Sequence, residues 1–259
     1  MSWFLDTGVA AGLYGATVGM LVPALIARVP EPEPRHQPPT DEAGATRPGR
    51  PGHESRATAA AVPVEEPKER YVDIAALPGL RWKCMLATAV VAGLLGARTG
   101  WRPELALLLY LAPVGVALAV IDWRTRLLPT KVIAPSYLVV TALAAVAAWA
   151  GGDWHPLVTA AWGWLVSGGT FFLLWFVYPR GMGYGDVRLS GVLGIALGYL
   201  GWGELLSGVY AGFLLGGVGG LLLSLLRIVE RKAYPFGPFM LLGALVGVLA
   251  GPHVAAWYA

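Results

Sequence analysis

Two aspartates stand at the boundaries of long apolar segments. Asp122 directly follows the apolar run 109–121 ("LYLAPVGVALAVI"), and Asp186 directly precedes the run 187–200 ("VRLSGVLGIALGYL"). A charged aspartate at bilayer depth costs about 2.5 kcal/mol or more unless it is paired or faces a polar cavity. The position of both residues therefore requires an explanation, either in chemistry or in anchoring of the chain at the membrane surface.

Two carboxylates held close together can hydrolyse a peptide bond. They cannot both ionise easily, so one keeps its proton under conditions in which an isolated aspartate would lose it. The ionised carboxylate can then activate a water molecule while the protonated one polarises a carbonyl group. This chemistry needs no metal, cysteine or serine. We predict it for Asp122 and Asp186, provided that folding brings the two helix ends together.

Anchoring at the interface is the alternative explanation for the same aspartates. Four arginines lie within a few residues of them: Arg124, Arg126, Arg180 and Arg188. An acidic residue at a helix end beside arginines often only fixes the position of that end, whereas an acidic residue inside the membrane is usually functional. The residues around Asp122 and Asp186 leave both interpretations open.

Glycine and proline surround the two acidic residues. The stretch 181–185 ("GMGYG") places three glycines just before Asp186, and each glycine disfavours a helix by about 1 kcal/mol relative to alanine. The sequence therefore predicts a loop here, in which Gly183 and Gly185 let an extended peptide approach the carboxylate closely. Pro129 is expected to keep the preceding "RTRLLP" out of the next helix.

The composition indicates a membrane protein. The 259 residues are 56% hydrophobic and only 14% charged, with a mean hydropathy of +0.59, whereas a soluble domain is about one quarter charged. We therefore expect the lipid bilayer as a partner. The net charge of +3 does not suggest binding to nucleic acid. Cys84 is the single cysteine and the four histidines are dispersed, so we expect neither a metal site nor a cofactor.

The hydrophobic pattern predicts an all-α fold with about eight transmembrane helices. A spanning helix needs roughly 20 apolar residues. The candidate segments are 3–27, 83–97, 104–121, 132–150, 156–178, 187–201, 203–226 and 237–257, of which 83–97 and 187–201 are short. The first lacks a basic start and a small-residue cleavage site, so we expect a retained helix and not a signal peptide.

The composition also divides the chain into three parts. Residues 1–30 carry the first transmembrane helix, and residues 83–259 carry a seven-helix membrane domain. Residues 31–82 between them are rich in proline and in charge of both signs. Because such a stretch cannot bury enough apolar surface to offset the entropy of ordering, we predict a largely disordered loop.

The distribution of lysine and arginine predicts the orientation. With eight helices and the N-terminus outside, the cytoplasmic loops are 28–82, 122–131, 179–186 and 227–236. These loops and their immediate flanks hold 17 of the 19 basic residues, and the other two, Arg98 and Arg102, lie in one external turn. Because basic residues concentrate in cytoplasmic loops, we expect Asp122 and Asp186 on the cytoplasmic side.

Four motifs resemble those of one enzyme family. "GYGDVRL" (183–189) is similar to the Gly-x-Gly-Asp motif of intramembrane aspartic proteases, with Arg188 where the family usually has lysine. "IDWRTRLLPTKV" resembles the family's first aspartate motif, and "YPFGPFMLLGAL" and "ARVP" resemble two further segments. The context resembles the prepilin peptidase (type IV leader peptidase) family over about 83–257, and more loosely over 1–30.

This resemblance implies an aspartic endopeptidase of the bacterial inner membrane. It assigns Asp122 and Asp186 as the catalytic pair. The implied substrate is a pilin-like precursor with a short basic leader, cut after a glycine on the cytoplasmic face, just before its hydrophobic helix. Many members carry two Cys-x-x-Cys pairs after the first helix and also N-methylate the product. Those pairs are absent here, so we expect a short form without methyltransferase activity.

Two other functions remain compatible with the residues alone. An ion-coupled transporter could use the two aspartates as carriers, although such proteins usually place ionisable groups near the midplane and show inverted repeats. A catalytically silent member of the family could act as a scaffold of a pilus or secretion machine.

Overall fold

The computed structural model describes residues 3–31, 69–179, 182–226 and 235–258. These residues form helices joined by short turns and contain no β-strand, which confirms the predicted all-α class for the described ranges. The helices are α1 (Leu5–Gly19), α2 (Val22–Ala27), α3 (Tyr71–Ala75), α4 (Leu80–Thr99), α5 (Leu105–Thr125), α6 (Thr130–Gly151), α7 (His155–Gly163), α8 (Gly169–Val177), α9 (Tyr184–Leu200), α10 (Trp202–Leu225) and α11 (Gly237–Tyr258).

Within the described ranges, five segments are long and apolar enough to cross a membrane. They are α4, α5, α6, the continuous segment His155–Val177 and the part Gly237–Val254 of α11. In the fourth segment, α7 and α8 are joined by a π-helical turn, Trp164–Gly168. The mean hydropathy of these segments reaches 2.2 in α5. A multi-pass membrane protein follows from their number.

Three predicted boundaries are corrected by the structure. The segment predicted as 83–97 is the 20-residue helix α4, which begins at Leu80, and the segment predicted as 187–201 begins at Tyr184. The first segment is not one helix, because α1 ends at Gly19 and α2 begins at Val22. Pro23 lies in the first turn of α2, where its missing N–H is not needed.

Glycine lets three antiparallel pairs of helices approach closely. In the pair α1 and α4, the N–H of Phe4 donates to the carbonyl oxygen of Ala97 at 2.8 Å. A Cβ at Gly15 would lie only 2.5 Å from the carbonyl oxygen of Thr88. The pairs α7 with α9 and α10 with α11 also meet through glycines. Because helices in lipid associate through close packing, these contacts explain why glycine is frequent in the spans.

Helix α3 lies near the end of the stretch 31–82, for which the composition predicts a largely disordered loop. Residues 32–68 lie outside the described residues, but Tyr71–Ala75 is helical. Tyr71 and Ile74 are buried in one cluster with Ile26 of α2 and Ile121 of α5. This apolar contact explains why the short helix is ordered. The proline-rich composition of the stretch does not predict such a contact.

Helix α9 is the centre of the bundle. Every residue from Leu189 to Tyr199 is buried, as expected for a helix with neighbours on all sides. It packs against α6, α7, α8, α10 and α11. The end of α5 and the starts of α6, α9 and α11 meet at one end of the bundle, where both aspartates lie, as contacts of Gly237 with Asp122, of Arg188 with Thr130 and of Gly185 with Leu128 show.

Candidate active site

Asp122 lies in the last turn of α5 and is buried, with 4% of its surface exposed. Its Oδ2 accepts a hydrogen bond of 2.9 Å from the backbone N–H of Gly237, the first residue of α11. The helix ends just beyond it, because Arg126 takes a left-handed conformation with φ of 55°. A buried carboxylate needs such a partner, since an unsatisfied one costs a large desolvation free energy.

Asp186 lies in the first turn of α9 and is also buried, with 7% of its surface exposed. Its Oδ2 accepts a hydrogen bond of 3.1 Å from the N–H of Gly183, the residue that caps the helix. The N–H of Asp186 in turn donates to the carbonyl oxygen of Gly183 at 3.0 Å. A carboxylate is favoured at this position because the N-terminus of a helix carries partial positive charge.

The fold places a glycine beside each carboxylate, Gly185 next to Asp186 and Gly237 bonded to Asp122, against one side chain. That side chain is Leu128, which lies between Gly185 and Gly237. A Cβ at Gly185 would be 2.7 Å from Cβ of Leu128, and a Cβ at Gly237 would be 3.4 Å from its Cδ2. The two helix ends that the sequence places far apart therefore form one cluster around Leu128.

Pro129 ends the short loop between the first aspartate and α6. It is the N-terminal cap of α6, which begins at Thr130, so "RTRLLP" stays out of that helix as predicted. At the start of the loop, the hydroxyl of Thr125 donates to the carbonyl oxygen of Ile121 at 2.8 Å and accepts a bond from the N–H of Leu127 at 3.3 Å. These bonds hold the chain that leads from Asp122 to Leu128.

The glycine-rich stretch before Asp186 is less open than predicted. Gly183 is extended and exposed, but Tyr184 and Gly185 already belong to α9. The prediction of a non-helical loop through residue 185 is therefore wrong. The helix begins earlier because Asp186 bonds back to the cap at Gly183. Gly185 is required for its small size, since Leu128 occupies the space that a side chain would need.

The side chain of Arg188 contacts residues of α6 and α9. Its guanidinium group lies 4.6 Å from the ring centroid of Tyr184, and it hydrogen-bonds to the hydroxyl of Thr130. In the described ranges it forms no ion pair with either aspartate. Its carbonyl oxygen accepts a hydrogen bond of 2.8 Å from the hydroxyl of Tyr137. Arg188 thus braces the start of α9 against α6.

The other arginines considered as anchors differ in their surroundings. The guanidinium of Arg124 donates to the carboxylate of Glu69, at 2.7 Å for the Nε atom, and so ties α5 to the residues before α3. Arg126 is exposed. Arg180 lies outside the described residues.

Sequence reasoning missed three residues that shape this cluster. Gly237 donates to Asp122, Leu128 separates the two glycines, and Tyr137 holds the backbone of α9. The segment around Gly237 resembles a family motif, but its spacing does not indicate that Gly237 contacts Asp122. Among the described residues, no group of three histidines, cysteines, aspartates or glutamates could hold a metal ion.

Comparison with known proteins identifies the family. The model of the type IV leader peptidase family matches residues 109–251, which is more than half of the chain and includes both aspartates and Gly237. The chain belongs to the type IV leader peptidase family. The resemblance read from its motifs is thereby confirmed.

Several curated relatives are similar in sequence, each named prepilin leader peptidase/N-methyltransferase. The protein of Aeromonas salmonicida is 32% identical over 174 residues, covering 61% of this chain and 53% of the relative. That of Pseudomonas putida is 31% identical over 188 residues, covering 67% and 58%. That of Escherichia coli is 32% identical over 154 residues, covering 55% and 62%. The matches thus extend over only about half to three fifths of these relatives, and no solved structure matches the chain significantly.

Proposed function

We propose that this protein is an intramembrane aspartic endopeptidase that removes the leader of type IV pilin-like precursors. The observation that carries the proposal is the pair of buried aspartates, each held by a backbone N–H at the same end of the bundle. Membership of the type IV leader peptidase family supports the same activity.

One oxygen of each carboxylate has no hydrogen-bond donor among the described residues. Each backbone N–H is bonded to Oδ2, and no described residue donates a hydrogen bond to Oδ1 of either Asp122 or Asp186. The two Oδ1 atoms are therefore the ones that would meet water and the substrate carbonyl. The fixed Oδ2 bonds hold both carboxylates in place before substrate binds, which favours catalysis by preorganisation.

In the proposed mechanism, the ionised carboxylate takes a proton from water as the water oxygen attacks the scissile carbonyl carbon. The protonated carboxylate donates a hydrogen bond to the carbonyl oxygen and stabilises the negative charge that develops there. The tetrahedral intermediate then breaks its carbon–nitrogen bond, and the carboxyl group that took the proton from water donates it to the leaving amine nitrogen. Because two carboxylates that share a site titrate as a pair, the roles are assigned to the pair and not to one residue.

The proposed substrate carries a short basic leader that ends in glycine, followed directly by a hydrophobic helix. Cleavage after that glycine takes place on the cytoplasmic face. The topology predicted from the basic residues, eight crossings with the N-terminus outside, supports this proposal, because it places the end of the bundle that holds Asp122 and Asp186 with most of the basic residues. The chain has a single cysteine, so we propose a peptidase without N-methyltransferase activity.

The test is cleavage of a pilin-like precursor by membranes that contain wild type, Asp122→Asn or Asp186→Asn. Asparagine keeps the size of the side chain and its Oδ acceptor but cannot act as a base. We expect the wild type to shorten the precursor at its glycine and both variants to be inactive at equal protein levels. Asp153→Asn is the matched control, because Asp153 is exposed in the turn between α6 and α7. Normal cleavage by either of the first two variants would exclude the aspartic mechanism.

A further inference from the structure

An apolar cleft lies between α4, α5 and α11, with buried residues of α9 at its base. Its volume is about 300 Å³, and its lining consists of aliphatic side chains, one proline and one glycine. Ala87 of α4 and Leu242 of α11 stand at its rim and are exposed. A cleft of this kind in a membrane protein is open to any apolar partner that arrives from the bilayer.

One end of the cleft adjoins the aspartate pair. Ala119, which lines it, is less than one helical turn before Asp122 on α5, and Pro238 directly follows Gly237, the residue that bonds to Asp122. From Ala119 the cleft runs back along α5 to Leu108. At 1.5 Å per residue this is about 16 Å of helix, or roughly half of the hydrocarbon thickness of a bilayer.

We propose that this cleft holds the hydrophobic helix of the precursor while its scissile bond lies at the aspartate pair. The inference rests on the proposed function. In that reaction the apolar helix begins directly after the bond that is cut, so it must enter the apolar layer next to Asp122 and Asp186. The cleft is an apolar surface that starts there and leads away along the span.

The lining offers a helix aliphatic side chains from α4, α5, α9 and α11. On α5, Ala112 and Gly115 are buried, and Leu241 covers Gly115, with its Cδ2 3.1 Å from where a Cβ would lie. Ala119, the lining residue of α5 nearest to Asp122, is half-buried and small enough for another helix to pack against it closely, and close packing drives helix association in lipid. The exposed rim at Ala87 and Leu242 lets the helix enter sideways from the bilayer.

The experiment compares two substrates with a variant that fills the cleft. Val116 lines the cleft and is half-buried, so Val116→Trp occupies its volume without touching either aspartate. One substrate is the precursor with its helix. The other is a short peptide with the same leader, the glycine and a few following residues. We expect kcat/KM for the precursor to fall by about tenfold or more, and that for the peptide to change by less than about twofold.

Leu138→Trp is the matched control, because Leu138 lies on α6 with 75% of its surface exposed and is not part of the cleft. It should cleave both substrates like the wild type. An equal loss for both substrates with Val116→Trp would mean that the substitution disturbs the aspartate pair, and no loss for either would mean that the helix binds elsewhere. Each of these results overturns the proposal. A wild type that cleaves neither substrate would instead refute the proposed function.

Cross-linking gives a second readout that does not depend on activity. A photoreactive residue at position 242, in a chain inactivated by Asp186→Asn, should form an adduct with the helix of the precursor in proteoliposomes. The same residue at position 138 should label lipid. Adducts with lipid alone at position 242 would show that acyl chains and not the substrate fill the cleft.

Discussion

The backbone N–H of Gly237 donates a hydrogen bond of 2.9 Å to Oδ2 of Asp122, across 115 positions of sequence. A Cβ at Gly237 would lie 2.8 Å from the same oxygen and 3.3 Å from the carboxyl carbon. Gly237 therefore has two effects on Asp122. Its N–H holds the carboxylate in place, and its lack of a side chain leaves room for that carboxylate.

Gly237→Ala should reduce cleavage without preventing folding. The added methyl group displaces the carboxylate of Asp122, and a misplacement of about 1 Å in a catalytic group can cost on the order of 10²-fold in rate. The measurement is the cleavage rate per amount of folded protein in the membrane. Gly151→Ala is the control, because a Cβ at Gly151 meets no atom within 4 Å. Equal cleavage rates for the two variants would mean that the contact between Gly237 and Asp122 does not affect catalysis.

Gly185→Ala should also reduce cleavage, through Leu128. A Cβ at Gly185 would lie 2.7 Å from Cβ of Leu128, so α9 and the loop after Asp122 must move apart. Because the clash involves the Cβ atom itself, Leu128→Ala should not relieve it, whereas Leu128→Gly should. We expect the double variant Gly185→Ala with Leu128→Gly to cleave faster than Gly185→Ala alone. Purely additive losses would contradict this contact.

Arg188→Lys should be close to wild type, and Arg188→Ala should lose about two- to fivefold in kcat/KM. The guanidinium group contacts Tyr184 and Thr130 and not the aspartates, and an exposed cation–π contact contributes about 0.5–1 kcal/mol. Arg81→Ala, at an exposed arginine in the first turn of α4, controls for loss of charge. A loss above about 100-fold would point to a direct role of Arg188 at the aspartate pair.

The sequence predicts the helices and the two aspartates but not what surrounds the aspartates. Whether a segment is long and apolar enough to span a bilayer depends on local sequence, so the spans could be predicted. The basic residues and the motifs indicated Asp122 and Asp186. The contacts of Gly237 and Leu128 depend on how distant helix ends meet, and no local pattern carries that information. The π-helical turn at Trp164–Gly168 and the break between α1 and α2 depend on backbone hydrogen bonding, which composition does not determine.

Ile74→Ala should loosen α3 from the membrane domain. Ile74 is buried against α2 and α5, with 1% of its surface exposed, and truncation of a buried isoleucine costs about 2–5 kcal/mol. We expect faster amide hydrogen exchange over residues 69–79. Val72→Ala is the control on the same helix, because Val72 is 53% exposed. Unchanged exchange in Ile74→Ala would show that α3 is held by its polar contacts instead.

Gly247→Ala should destabilise the pair of helices α10 and α11. A Cβ at Gly247 would lie 2.5 Å from the carbonyl oxygen of Glu204, and overpacking of this kind typically costs about 1–3 kcal/mol. Because Gly247 is about 15 Å along α11 from Gly237, the cleavage rate of the protein that remains folded should be unchanged.

The measurement for Gly247→Ala is the free energy of unfolding in detergent, compared with Gly217→Ala in α10. A Cβ at Gly217 meets no atom within 4 Å, and alanine is favoured over glycine in a helix by about 1 kcal/mol, so that control should be neutral or slightly stabilising. Both substitutions add one methyl group. At position 247 the backbone of α10 lies where that methyl group would go, whereas at position 217 no atom does. If they changed stability by the same amount, close contact between backbones would not be the reason for glycine at position 247.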